Sequence, residues 1–122
     1  RCSIHSFRPG ICRVFPLGRI YEENRLDYFL QVDGCAKENR SKIKVSKWLD
    51  TPELKKNQQY LIDWHAFRKK IKSILGEMSD ENQKKTITMF LLNTFYINPY
   101  DTEQDFYLQF YARLDRIAQV IA

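Results

Sequence analysis

Cationic side chains recur along one stretch of this sequence at a spacing suited to ionic chemistry. Lys55, Gln58, Ile62, His65, Lys69 and Lys72 follow one another at steps of three and four residues, with Arg68 adjoining. On an α-helix such steps align side chains in one row. At 1.5 Å per residue, the row from Lys55 to Lys72 is ~26 Å long. A rigid row of cations can follow a phosphate backbone, releasing counterions at each contact. Lys42, Lys44 and Lys47 lie just upstream and extend the basic character. No base-reading code is visible, so the expected contacts are to backbone or shape. Trp48 and Trp64 are rings that either stack on bases or fill a core. The same charges also suit the solvated side of an ordinary amphipathic helix.

Catalytic patterns are weaker. His65 has Asp63 as its nearest acid in sequence, and side chains two positions apart on a helix do not face each other. A general base also needs an orienting partner and a cleft. Glu22, Glu23, Asp27, Asp33 and Glu38 are acids in the neighbourhood of Lys42 and Lys44. A metal-dependent nuclease would place an acid and a lysine one residue apart on a strand, and Glu38 stands four residues from Lys42. The four glycines are too scattered for a phosphate-cradling loop, and no serine sits in a nucleophile elbow.

The three cysteines, Cys2, Cys12 and Cys35, admit two readings. An odd count confined to the first third of the chain fits ordinary free thiols in a reducing compartment. Alternatively, Cys2 and His5 form a C-x-x-H pair that Cys12 and Cys35 would complete as a tetrahedral zinc site. Structural zinc sites usually use two short pairs, whereas Cys12 and Cys35 are isolated. The expectation is therefore no metal and no cofactor.

A third cluster lies near the C-terminal end. Tyr107, Phe110 and Tyr111 stand beside Glu103, Asp105 and Asp115. Aromatic rings rimmed by charge are common at protein interfaces, which makes Tyr107 and Tyr111 candidates for contact with a partner or a second copy. They are equally suited to packing a helical core.

The bulk properties narrow the class. The chain has 122 residues, 43% of them hydrophobic and 14% aromatic, as in one folded domain. The net charge is +5 and unevenly spread. Residues 1–50 carry ten Lys and Arg against six Asp and Glu, residues 51–76 six against two, and residues 77–122 four against seven. Such polarity favours nucleic acid, anionic lipid or an acidic protein as partner. No apolar run approaches the roughly 18 residues of a membrane span, so no membrane association is expected. An intracellular, cytoplasmic location is expected from the odd set of thiols.

The elements that must position these residues are legible in outline. Alternation at Ile11–Phe15, Leu17–Tyr21, Tyr28–Val32 and Ile43–Trp48 predicts short strands, with a turn at Asp33-Gly34 and a polar loop over 35–41. Asp50-Thr51-Pro52-Glu53 predicts the start of a helix over 52–75, stopped by Gly76. A second helix over 80–97 opens at Ser79 or Asp80. It is apolar all round from Ile87 to Ile97, the pattern of a buried central helix. Asp101 or Thr102 caps a third, over 102–121. The predicted fold is α+β, a small N-terminal antiparallel β unit followed by a three-helix C-terminal bundle in one domain, 1–122. The predicted function is a non-enzymatic binding module that engages nucleic acid through Lys42, Lys44, Lys47, Lys55, His65, Arg68, Lys69 and Lys72. The alternative is a protein-interaction or assembly domain of a larger protein using Tyr107 and Tyr111.

Overall fold

The computed structural model describes residues 3, 5–7, 9–15, 17–30, 44–49 and 51–121. The predicted strand end at 31–32, the Asp33-Gly34 turn, the loop over 35–41, Lys42, Cys2 and Cys35 lie outside them, as does the side chain of His5. The chain divides into two compact units, residues 1–66 and 67–122. An N-terminal antiparallel sheet followed by a mostly helical region makes the fold α+β.

After a single 3-10 turn at His5–Phe7, the first unit runs α1 (Gly10–Val14), β1 (Leu17–Glu22), β2 (Arg25–Leu30) and α2 (Val45–Leu49), then begins α3 (Leu54–Glu77). The sheet is the β1–β2 hairpin, paired from Leu17 against Leu30 to Glu22 against Arg25. Its two-residue turn needs one left-handed residue, and Asn24 supplies it at φ 56°. Asparagine tolerates that region better than most side chains. Phe29 packs directly over Gly18 across the strands, where a Cβ would collide with its ring. Arg25 on the same hairpin pairs with Asp27 at 2.7 Å and with Glu22 at 3.9 Å. Two of the acids considered as metal ligands are thus engaged by a neighbouring cation.

Two predicted strands are short helices instead. Ile11–Phe15 falls largely in α1, where Pro9 O accepts from Cys12 N at 2.9 Å and Arg13 N at 3.1 Å. Five residues are too few to separate the two periods, and the turn places Val14 inside, at 5% exposure. The segment around Val45 and Trp48 is α2, with Trp48 N bonded to Lys44 O. One helical turn buries Leu49, whereas a strand would have turned Val45 and Lys47 inward. The two helices pack together, and Trp48 Nε1 donates to Phe15 O at 3.1 Å.

α3 begins at Leu54 because Glu53 sits in the left-handed region, φ 50°, and its carbonyl accepts from Asn57 N. The helix does not stop at Gly76. No described glycine has a positive φ, so Gly76 stays helical and α3 runs on to Glu77. Open space surrounds the position where its Cβ would stand. Gly76→Ala is therefore expected to stabilise the protein by about 0.5–1 kcal/mol, mainly by restricting the unfolded chain. A urea titration in which the midpoint falls would contradict this.

The second unit contains the end of α3, then α4 (Glu81–Leu92), a π-helical turn (Asn93–Ile97) and α5 (Phe106–Ile121). Asp80 caps α4 by accepting from Asn82 N at 2.9 Å. Three segments meet in one ring-rich core. Phe67 meets Phe95 at 5.6 Å between centroids, and Phe95 meets Phe110 at 5.9 Å. Phe110 and Ile117 are the most completely buried large side chains described.

α4 is not the buried central helix that its composition predicts. No residue of α4 itself is buried, and Met89, Phe90 and Leu92, with Tyr96 and Ile97 beyond them, are exposed. A helix lying on one neighbour hides only one stripe. Here that stripe is Ile87, Leu91, Thr94 and Phe95, at steps of four, three and one. α5 begins later than Asp101 or Thr102 would place it. Asp101 accepts from Glu103 N within a turn, and Asp105 carries the helix start through Leu108 N and Gln109 N. Gln109 staples the intervening loop by accepting from Asp101 N and donating to Asp101 O.

The π turn ends the helix, and carbonyls in it and just beyond it have no following turn to bond them. Arg113 of α5 collects them: Nη1 donates to Thr94 O at 2.7 Å and Asn98 O at 2.8 Å, and Nη2 to Pro99 O at 2.8 Å. The same guanidinium lies 3.8 Å over the Tyr100 ring. Burial raises the Tyr100 phenol above its ordinary pKa, and Arg113 partly opposes the shift. Arg113→Ala is expected to cost roughly 2 kcal/mol, since it strands three carbonyls at once. Arg113→Lys should recover less than half, because an ammonium lacks the planar fork. Equal midpoints for Arg113→Lys and the unaltered protein in urea would overturn this role.

Candidate nucleic-acid interface

α3 carries most of the predicted cations, Lys55 and His65 in the first unit and Arg68, Lys69 and Lys72 in the second. Lys55, His65, Arg68, Lys69 and Lys72 are all exposed, as is Lys70. At 100° per residue, Arg68, Lys69 and Lys72 fall within an arc of about 100° and a rise of ~6 Å. None of Arg68, Lys69, Lys70 and Lys72 forms an ion pair among the described residues. Two other lysines do have acidic partners, Lys56 with Glu53 at 3.1 Å and Lys84 with Glu81 at 2.9 Å.

The row is not continuous. Gln58 and His65 occupy the same arc of α3, yet in the first unit that arc receives the hairpin. Gln58 Nε2 donates to Tyr28 Oη at 3.0 Å, and the His65 ring stacks on Tyr21 at 4.1 Å with an interplanar angle of 3°. Ile62 between them is half-buried. The predicted row thus separates into Lys55 at one end and the Arg68–Lys72 group at the other. Sequence spacing alone did not reveal this, because Gln and His suit a solvated face as well as a face that meets a polar sheet. The clue present was Ile62, an apolar residue in the middle of an otherwise polar row.

Lys44 and Lys47 are exposed beside and on α2. They belong to the first unit, as does Lys55, whereas Arg68, Lys69 and Lys72 belong to the second. Trp48 is 42% exposed, while Trp64 is half-buried. Tyr107 and Tyr111 are half-buried on α5. Tyr107 meets Phe106 edge-on at 5.5 Å, and Tyr111 meets Phe110 at 5.3 Å. They flank the core and reach the surface beside it.

No group of three or more His, Cys, Asp or Glu side chains converges among the described residues, and Cys12 is an exposed free thiol. No described helix is long and apolar enough to cross a membrane. The Arg68–Lys72 group is chemically an array of mobile point charges around one fork-shaped guanidinium. Such an array attracts polyanions and has no groups that discriminate between bases. No protein-family model, curated protein or solved structure gives a significant match to this chain.

Proposed function

We propose that this protein is a binding module that engages the phosphate backbone of nucleic acid through Arg68, Lys69 and Lys72 on α3. The observation that carries the reading is a set of exposed cations on one rigid helix without acidic partners. Unpaired cations at fixed spacing exchange condensed counterions for protein contacts, which is favourable at low salt. Lys70 on the adjoining side, and Lys44, Lys47 and Lys55 in the first unit, add to the attraction that steers a polyanion toward the protein.

The test is fluorescence anisotropy of labelled single- and double-stranded oligonucleotides against the full chain. Three phosphate contacts imply a fall in affinity of about 40-fold between about 50 and 200 mM salt. Absence of binding at the lower salt would refute the reading.

A second reading, a protein-interaction or assembly role, is favoured by the uncovered apolar side chains Met89, Phe90, Tyr96 and Ile97. Exposed apolar clusters mark association surfaces. Under this reading Tyr107 and Tyr111 contribute rings at the contact, and mass measured by light scattering rises with concentration. A monomer at every concentration excludes self-assembly.

A further inference from the structure

The first unit holds another electropositive feature, which shares no residue with the α3 cations. A pocket of about 190 Å³ is lined by Arg13 of α1, Arg19 and Tyr28 of the hairpin, and Asn57 of α3, over the apolar side chains Val14 and Leu49. The volume far exceeds the ~10–15 Å³ that one water requires. Among the described residues that line it there is no carboxylate.

Arg19 carries the argument. Its Nε is buried and has no hydrogen-bond partner. Buried polar atoms are normally satisfied, and a charged donor left without an acceptor is costly. Arg19 faces Tyr28 across the hairpin, so both project on the side of the sheet that meets α3. Tyr28 Oη already accepts from Gln58, which leaves its own O–H to donate. Asn57 adds an amide that donates as well as accepts. Val14 and Leu49 are 5% and 3% exposed, an apolar floor that lowers the local dielectric and strengthens any ionic contact above it. The pocket therefore offers an arginine Nε–H without an acceptor, with a hydroxyl and an amide beside it.

We propose that this pocket binds a phosphate group, either inorganic phosphate or the phosphate monoester of a small molecule. The oxygens of a phosphate match the fork of an arginine, Nε included, and its charge is attracted by the Arg19 guanidinium. Phosphate supplies the acceptor that the Arg19 Nε–H lacks.

The experiment uses the ¹⁵N-labelled full chain and follows the arginine Nε–Hε resonances at constant ionic strength. Inorganic phosphate and adenosine 5′-monophosphate are titrated separately to about 10 mM, tenfold above a 1 mM Kd. A saturable shift of the Arg19 resonance is expected, together with a rise in Tm. Arg19→Gln, which has no Arg19 resonance, should abolish the rise in Tm. If that variant fails to fold, Tyr28→Phe keeps the ring and should weaken Kd about tenfold through the lost hydroxyl. Tighter binding of the nucleotide would identify an organic phosphate as ligand, and tighter binding of inorganic phosphate the free ion. No saturable shift with either probe, or a rise in Tm that Arg19→Gln retains, would overturn the proposal. The Lys69→Glu, Lys72→Glu variant should keep the phosphate response, which separates this pocket from the α3 surface.

Discussion

Replacing Lys69 and Lys72 together by Glu is expected to lower oligonucleotide affinity by on the order of 10² at about 50 mM salt. Each phosphate contact contributes ~0.9 to the slope of log affinity against log salt, and 50 mM lies about 1.3 decades below 1 M, so two contacts amount to about two log units. Charge reversal adds repulsion to the loss. Both side chains are exposed, and neither is in an ion pair among the described residues, so folding should be unaffected. An anisotropy titration beside a urea melt checks both halves. Unchanged affinity in a folded variant would remove these residues from the interface.

The second large effect is expected at the centre of the helical unit. Phe110→Ala should cost about 3–5 kcal/mol, because the ring is 2% exposed and deleting it opens a cavity. Its neighbours can close that space poorly. Phe95 and Phe106 stand 5.9 and 6.0 Å away between ring centroids, and Phe95 is itself held against Phe67. A domain of this size is stable by only about 5–15 kcal/mol, so the loss is a large share of the whole. Phe110→Leu, which retains most of the volume, should cost markedly less. Urea unfolding measures both, and a loss under about 1 kcal/mol for Phe110→Ala would mean that the core lies elsewhere.

The contrast between what was legible and what was not has a physical basis. The long helix ending in Glu77 announced itself through Asp50-Thr51-Pro52 and a sustained apolar period, and β1 through Leu17–Tyr21. The short elements did not. Ile11 to Phe15 satisfies both periods, and the chain chose one helical turn that buries Val14. The β1–β2 turn lacks glycine and rests on Asn24, a weaker punctuation mark that spacing alone did not single out. Uniform apolarity from Ile87 to Ile97 suggested burial, yet composition does not say how many neighbours a helix has. With one covered stripe, Phe95 is inside while Tyr96 and Ile97 are not.

The candidate sites show the same division. Residue types and helical spacing identified the Arg68–Lys72 group. They could not show that the hairpin docks on Gln58 and His65, because that contact joins residues more than 29 positions apart. The Arg19 pocket was equally hidden. One arginine in a strand has no pattern, and its significance lies in an Nε that folding buries without an acceptor.

The most direct test of the α3 reading is the salt dependence of oligonucleotide binding, measured side by side for the unaltered chain and for Lys69→Glu, Lys72→Glu. For the unaltered protein, log affinity should fall on a straight line against log salt, with a slope near −2.7 for three contacts and steeper if the first unit contributes. In the variant the slope should become shallower by about 1.8. A slope near zero, or coincident lines for the two proteins, would leave the α3 cations as solvated surface with no part in binding.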